Sequence, residues 1–163
     1  MTFNSERLPG FLRPVLRRLR VDFAPAPRPP TTGEVVFASV VALVGSLLAD
    51  AALVAIGTHV FPSTKGYVHF QFSDYAKLTT IGVIVACVGW PIVTRVTSSA
   101  RWLFLRLAVI VTLVLLAPDL YIWHAGSPAK AVFVLVWMHL AIALVTYTAL
   151  VRLAPVRRGR HAR

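Results

Sequence analysis

Four apolar runs dominate the chain, and each is long enough to cross a bilayer. The first, Glu34 to Thr58, reads EVVFASVVALVGSLLADAALVAIGT and holds one ionisable residue inside it, Asp50. At about 1.5 Å per residue, some 20 apolar residues span a hydrocarbon core. Small residues recur at Ala38, Ala42, Gly45, Ala49 and Ala52, at spacings that set them on one helical stripe. In lipid such a stripe lets two backbones approach closely. Asp50 extends the neighbouring line Ala42, Ser46, Asp50, so its carboxylate is expected to face other helices and not lipid. Thr32 or Gly33 is expected to cap the helix, with Glu34 at its positive end.

The second run covers about Tyr75 to Thr97, with Ser73 and Asp74 as N-cap candidates. Trp90-Pro91 lies inside it and either kinks the helix or ends it near Trp90. The third runs from Trp102 to Ala117, where Pro118 marks the boundary because proline disfavours helix in the residue before it. The fourth covers about Pro128 to Leu153, with Pro128 in its first turn. Between the first two lies HVFPSTKGYVHFQFSDY, where Val68, Phe70 and Phe72 alternate with Tyr67, His69 and Gln71. That alternation predicts an extended piece with one apolar face, lying on the mouth of the bundle. The fold class is all-α, a four-transmembrane-helix bundle over residues 34–153.

The ends are basic. Within residues 1–33, PGFLRPVLRRLR (Pro9 to Arg20) sets Phe11, Leu12, Val15, Leu16 and Leu19 on one helical face and Arg13, Arg17 and Arg20 on another. This predicts a short amphipathic helix in the membrane interface, with Arg13, Arg17, Arg18 and Arg20 on anionic lipid. Pro25, Pro27, Pro29 and Pro30 form an extended linker, and residues 154–163 are a second basic tail. If the chain crosses four times, fourteen of its seventeen Lys and Arg fall on one side, leaving Lys65, Lys77 and Lys130 on the other. The positive-inside rule then places both termini in the cytoplasm. The expected location is a bacterial cytoplasmic (inner) membrane.

Composition agrees. The chain is 57% hydrophobic and 14% charged, against about 25% charged for a soluble domain. The net charge of +11 is explained by the sorting of arginine to one membrane side and implies no nucleic acid. The single cysteine, Cys87, excludes an internal disulfide and is expected to be a small core residue. There is no P-loop, no dinucleotide fingerprint, no zinc-type spacing and no base placed beside a Ser or Cys. No cofactor, metal or catalytic set is therefore expected.

Candidate chemistry rests on two residues. Asp50 lies about 12 Å and His139 about 16 Å below the outer ends of their spans, counting 1.5 Å per residue, so the two are expected to pair. Above them an outer-mouth polar cluster is expected from His59, His69, Asp74, Lys77, Asp119, His124 and Lys130. The pair is either a lock on helix register or a site that accepts protons or anchors a small polar ligand from outside. A bis-His haem is not expected within one chain, because no second histidine matches His139 in depth.

The last span carries Val136-Trp137-Met138-His139-Leu140, followed by Ala141 and Ala143, below an Ala-rich first span and a short basic turn after the second. In these features the chain resembles a family of small, uncharacterised four-span membrane proteins of high-GC Gram-positive bacteria. The resemblance covers roughly Glu34 to Leu153 and implies an architecture without an activity. The leading expectation is a non-enzymatic accessory or assembly subunit of a larger membrane complex, with another membrane protein or a second copy as partner. A small transport or proton-relay protein using Asp50 and His139 comes second, and a quinone- or haem-associated redox subunit third. On topology, reporters fused before Met1 and after Arg163 are expected to read cytoplasm, and one at Lys65 to read outside. A cytoplasmic signal at Lys65 would exclude four crossings.

Overall fold

A capping box opens the first helix. Thr31 Oγ1 accepts from the Glu34 amide at 3.3 Å, and the Glu34 carboxylate accepts from the Thr31 amide at 2.8 Å. The T-x-x-E spacing thus satisfies two amides reciprocally, and the cap is Thr31 instead of Thr32 or Gly33. The computed structural model describes residues 14–15 and 24–157. Its four α-helices are α1 (Thr32–Val60), α2 (Phe72–Val96), α3 (Ala100–His124) and α4 (Ala129–Leu153). Each is long and apolar enough to cross a membrane, and the chain is an all-α, multi-pass integral membrane protein. Of the expected amphipathic helix only Pro14 and Val15 are described, both helical. Arg13, Arg17, Arg18 and Arg20 lie outside the described residues, as do residues 158–163.

The helices alternate in direction, and α1 packs closely along α4. A Cβ on Gly57 would come within 2.7 Å of Val134, and one on Gly45 within 3.0 Å of Val145. The buried line on α1 is Ala38, Ala42, Ser46, Asp50 and Gly57. The small-residue stripe is therefore shifted from its expected course: Gly45 and Ala49 are half-buried and Ala52 is exposed. Hydrocarbon offers Ser46 and Asp50 no hydrogen bond, so the helix turns these toward the interior ahead of its alanines.

Two apolar plugs close the bundle. At the end where α1 begins and α4 finishes, the terminal end, Ala38, Trp90, Val93, Leu103, Phe104 and Leu150 form one cluster. There the Trp90 indole N–H donates to the Ala154 carbonyl at 2.9 Å, and its ring lies 5.0 Å from that of Phe104. At the opposite, loop end, Phe70, Tyr75, Ala131, Val134, Leu135 and Met138 form another. The Pro-rich linker is docked on the terminal end: the Ala26 amide donates to Thr94 O at 2.8 Å and the Arg157 amide to Arg28 O at 3.2 Å. The Arg157 guanidinium pairs with Glu34.

Several expectations are corrected. α2 starts at Phe72, capped by Gln71 without a side-chain bond, so neither Ser73 nor Asp74 is the N-cap. It runs through Pro91 to Val96 and does not end near Trp90. Pro128 precedes the first turn of α4 as its N-cap. The loop after α1 is not extended. It forms two short 3-10 helices, Pro62–Thr64 and Val68–Phe70, with Gly66 at φ 82° between them. Three residues per turn place Tyr67 against Phe70, ring centroids 5.3 Å apart, so Phe70 is buried while Val68 and Phe72 stay exposed. The largest change is in α3, which passes through Pro118 to His124. Leu120, Tyr121, Ile122 and Trp123 still lie in an apolar run, and a helix is the way to satisfy their backbone groups there; proline costs that helix one bond.

The glycines generate a paired prediction. Gly57→Ala should destabilise the bundle by about 1–3 kcal/mol through overpacking against Val134, while Gly82→Ala, with open space at its Cβ, should be neutral or slightly stabilising. Thermal unfolding in detergent measures both.

Candidate functional site

Between the two plugs lies a layer of polar side chains to which every helix contributes. Asp50 is 0% exposed. It stands ten residues from the loop end of α1, and His139 ten residues from the loop end of α4, about 15 Å deep in each case at 1.5 Å per residue. Thr79 of α2 donates its hydroxyl to Asp50 Oδ2 at 2.6 Å. Below, towards the terminal end, Ser46 and Thr146 share a hydrogen bond of 3.3 Å across α1 and α4.

His139 meets Asp119 of α3, with Nδ1 3.1 Å from Asp119 Oδ2. The meeting follows from helix direction. Side chains lean toward the N-terminus of their own helix. α4 starts at the loop end and α3 at the terminal end, so His139 leans up and Asp119 leans down, and the two converge. His139 Nδ1 also lies 3.0 Å from the Leu135 carbonyl. A carbonyl can only accept, so Nδ1 carries the hydrogen and directs it there. Asp119 Oδ2 is thus an ion-pair neighbour without a hydrogen bond of its own.

The two acids share a property. Asp119 is 6% exposed, and both Asp50 Oδ1 and Asp119 Oδ2 are buried without a hydrogen-bond partner. Asp50 and His139 make no direct contact of their own. Each has a different nearest partner, and they remain within Coulombic reach of one another. Tyr75 of α2 is buried and also feels the Asp50 charge. Among the described residues, no three of His, Cys, Asp and Glu converge closely enough for a metal ion.

The outer-mouth residues separate. Asp119 leaves the group for the interior. His69 and Asp74 pair at 2.7 Å, and His69 also packs on the Tyr67 ring. Tyr67 in turn donates to Ser127 Oγ at 3.1 Å, tying the first loop to the α3–α4 turn. The Lys130 ammonium lies 5.6 Å from the Phe61 ring centroid. His59, Lys77 and His124 are exposed. Cys87 is half-buried beside Ser39. Thr79, Tyr75 and the interior position of Asp119 were the parts of the site not foreseen. Comparison of the chain with family models, curated proteins and solved structures gives no match.

A double-mutant cycle separates the contacts. Asp119→Asn with His139→Gln should show a coupling of about 0.5–2 kcal/mol in detergent unfolding. Asp50→Asn with His139→Gln should couple less, because only a longer-range charge interaction joins them. Equal coupling in the two cycles would contradict this geometry.

Proposed function

We propose that this membrane protein takes up and releases protons at the Asp50, Asp119 and His139 network, in the service of transport or proton relay. One observation carries the proposal: Asp50 Oδ1 and Asp119 Oδ2 are buried without a hydrogen bond, and the group nearest Asp119 Oδ2 is the His139 ring nitrogen, itself titratable, at 3.1 Å. A network whose only task is to lock helix register gains by satisfying every member, and a partly satisfied one destabilises the fold. Acceptors left open inside a membrane-spanning bundle fit groups that exchange a proton or hold a small ligand. His139 stands between the two acids and is the one side chain here whose ordinary titration range lies near neutral pH.

This reverses the order in which sequence alone ranked relay and accessory subunit. The accessory reading keeps one support of its own, the broad apolar outer face of α3 at Leu113, Val114, Leu120 and Tyr121, which suits a helix of another protein or a second copy. The distribution of arginine supports a cytoplasmic terminal end and contact with anionic lipid, now including the exposed Arg95, Arg101 and Arg152.

Proteoliposomes containing a pH-sensitive dye test the relay. With an imposed potential, the wild type should acidify or alkalinise the lumen faster than protein-free vesicles. Asp50→Asn and Asp119→Asn should each lower that rate at least tenfold without lowering the melting temperature, because asparagine keeps the shape and removes an undercompensated buried charge. A wild-type rate at the protein-free level, or unchanged rates in both variants, would rule the relay out. A stoichiometric partner in mild detergent extracts together with no proton flux would favour the accessory subunit.

A further inference from the structure

We infer that the seam between α2 and α3 is a lateral entrance from the lipid to His139, and that it admits a membrane-dissolved molecule with a carbonyl or phenolic head, of the quinone class. The inference rests on the network proposed above and adds its ligand.

The seam is closed at its ends and open in its middle. At the terminal end Trp90 and Val93 of α2 pack with Leu103 and Phe104 of α3. At the loop end Ile122 of α3 packs against the cluster that contains Tyr75. Between Phe104 and Asp119, α3 has no buried residue; Ala108, Thr112 and Leu116, at steps of four from Phe104, are only half-buried. The facing flank of α2 is found by stepping back from Val93 by four, three and four residues, which reaches Gly89, Ala86 and Gly82. No atom lies within 4 Å of where a Cβ would stand on Gly82 or Gly89. With Gly82 exposed and Gly89 half-buried, this flank of α2 carries no side-chain bulk toward the seam.

His139 lies at the depth of Gly82. Gly82 is ten residues from the loop end of α2 and His139 ten from that of α4, about 15 Å each. The His139 side chain is 26% exposed although it sits near mid-bilayer. Its Nδ1 is engaged by Leu135 O and Asp119, which leaves Nε2 as the nitrogen with no protein partner. A seam of low bulk with one unpartnered ring nitrogen at its depth suits a lipid-soluble body with one hydrogen-bonding head. With Nδ1–H fixed, neutral His139 presents Nε2 as an acceptor to a phenolic hydroxyl, and protonated His139 presents Nε2–H to a carbonyl oxygen. Head-group recognition and the proton held by the network are thereby linked. A metal ion would need ligands that do not converge here.

The test uses the full chain in nanodiscs with decylubiquinone as probe and decylbenzene, which lacks the carbonyls, as competitor. Decylubiquinone should bind saturably, and decylbenzene should not displace it. Gly82→Leu fills the seam and should raise Kd at least tenfold with an unchanged melting temperature. Gly33→Leu, at a glycine equally open but outside the seam, should bind as wild type. Should Gly82→Leu lower the melting temperature, Gly89→Leu takes its place with the same expectation. Saturable binding unchanged in both seam variants, displacement by decylbenzene, or no binding at all would overturn the inference. If proton exchange by the wild type persists in any of those cases, the relay survives and only its ligand is wrong; if exchange is absent as well, the relay falls with it.

Discussion

Two carboxylates with too few donors set the terms for this bundle. A bilayer supplies no water to an acceptor at mid-depth, and each unsatisfied group there costs several kcal/mol on the usual estimate. Burying Asp50 and Asp119 therefore constrains everything around them. α1 turns its polar line inward at the expense of its alanine stripe. α2 brings Thr79 to Asp50. α4 brings His139 to Asp119. Yet one oxygen of each acid remains without a hydrogen bond. In a fold otherwise held by close apolar contact, that residue of unsatisfied chemistry is the feature that packing does not account for.

The surroundings of the layer are unequal. On the terminal side, Trp90 and Leu150 are fully buried and the indole is fastened to the Ala154 carbonyl, a seal of aromatic and aliphatic bulk. On the loop side, the cover includes the loop itself, with Phe70 buried in the cluster of Tyr75, Leu135 and Met138 and Tyr67 fastened by a hydrogen bond and ring contacts.

Much of the architecture was legible in the chain. Four apolar runs of sufficient length dictate four helices, and the line Ala42, Ser46, Asp50 correctly turned the acid inward. The failures share a cause. A helix end at Pro118 follows from a rule that holds in water, where a freed carbonyl can bond to solvent. In an apolar run the backbone has no such alternative and the helix continues. Asp119, one residue later, was consequently placed among the loop residues, and the partner of His139 was sought on α1. The Val68, Phe70, Phe72 alternation has period two, but the proline and glycine of this segment impose turns of three. The site was half legible because depth could be counted along each helix, while the pairing of helices could not.

Glycine shows how packing and function divide within this one fold. On α1, Gly45 and Gly57 stand where a methyl group would strike α4, so their lack of a side chain serves close approach. On α2, Gly82 and Gly89 stand where a methyl group would meet nothing. There the same residue gives up helix propensity, roughly 1 kcal/mol relative to alanine in a helix interior, without any gain in packing. A bundle selected only for stability would place alanine or leucine at both positions. At Gly82 the cost falls at the depth of His139, on the flank that faces the stretch of α3 between Phe104 and Asp119 where no residue is buried.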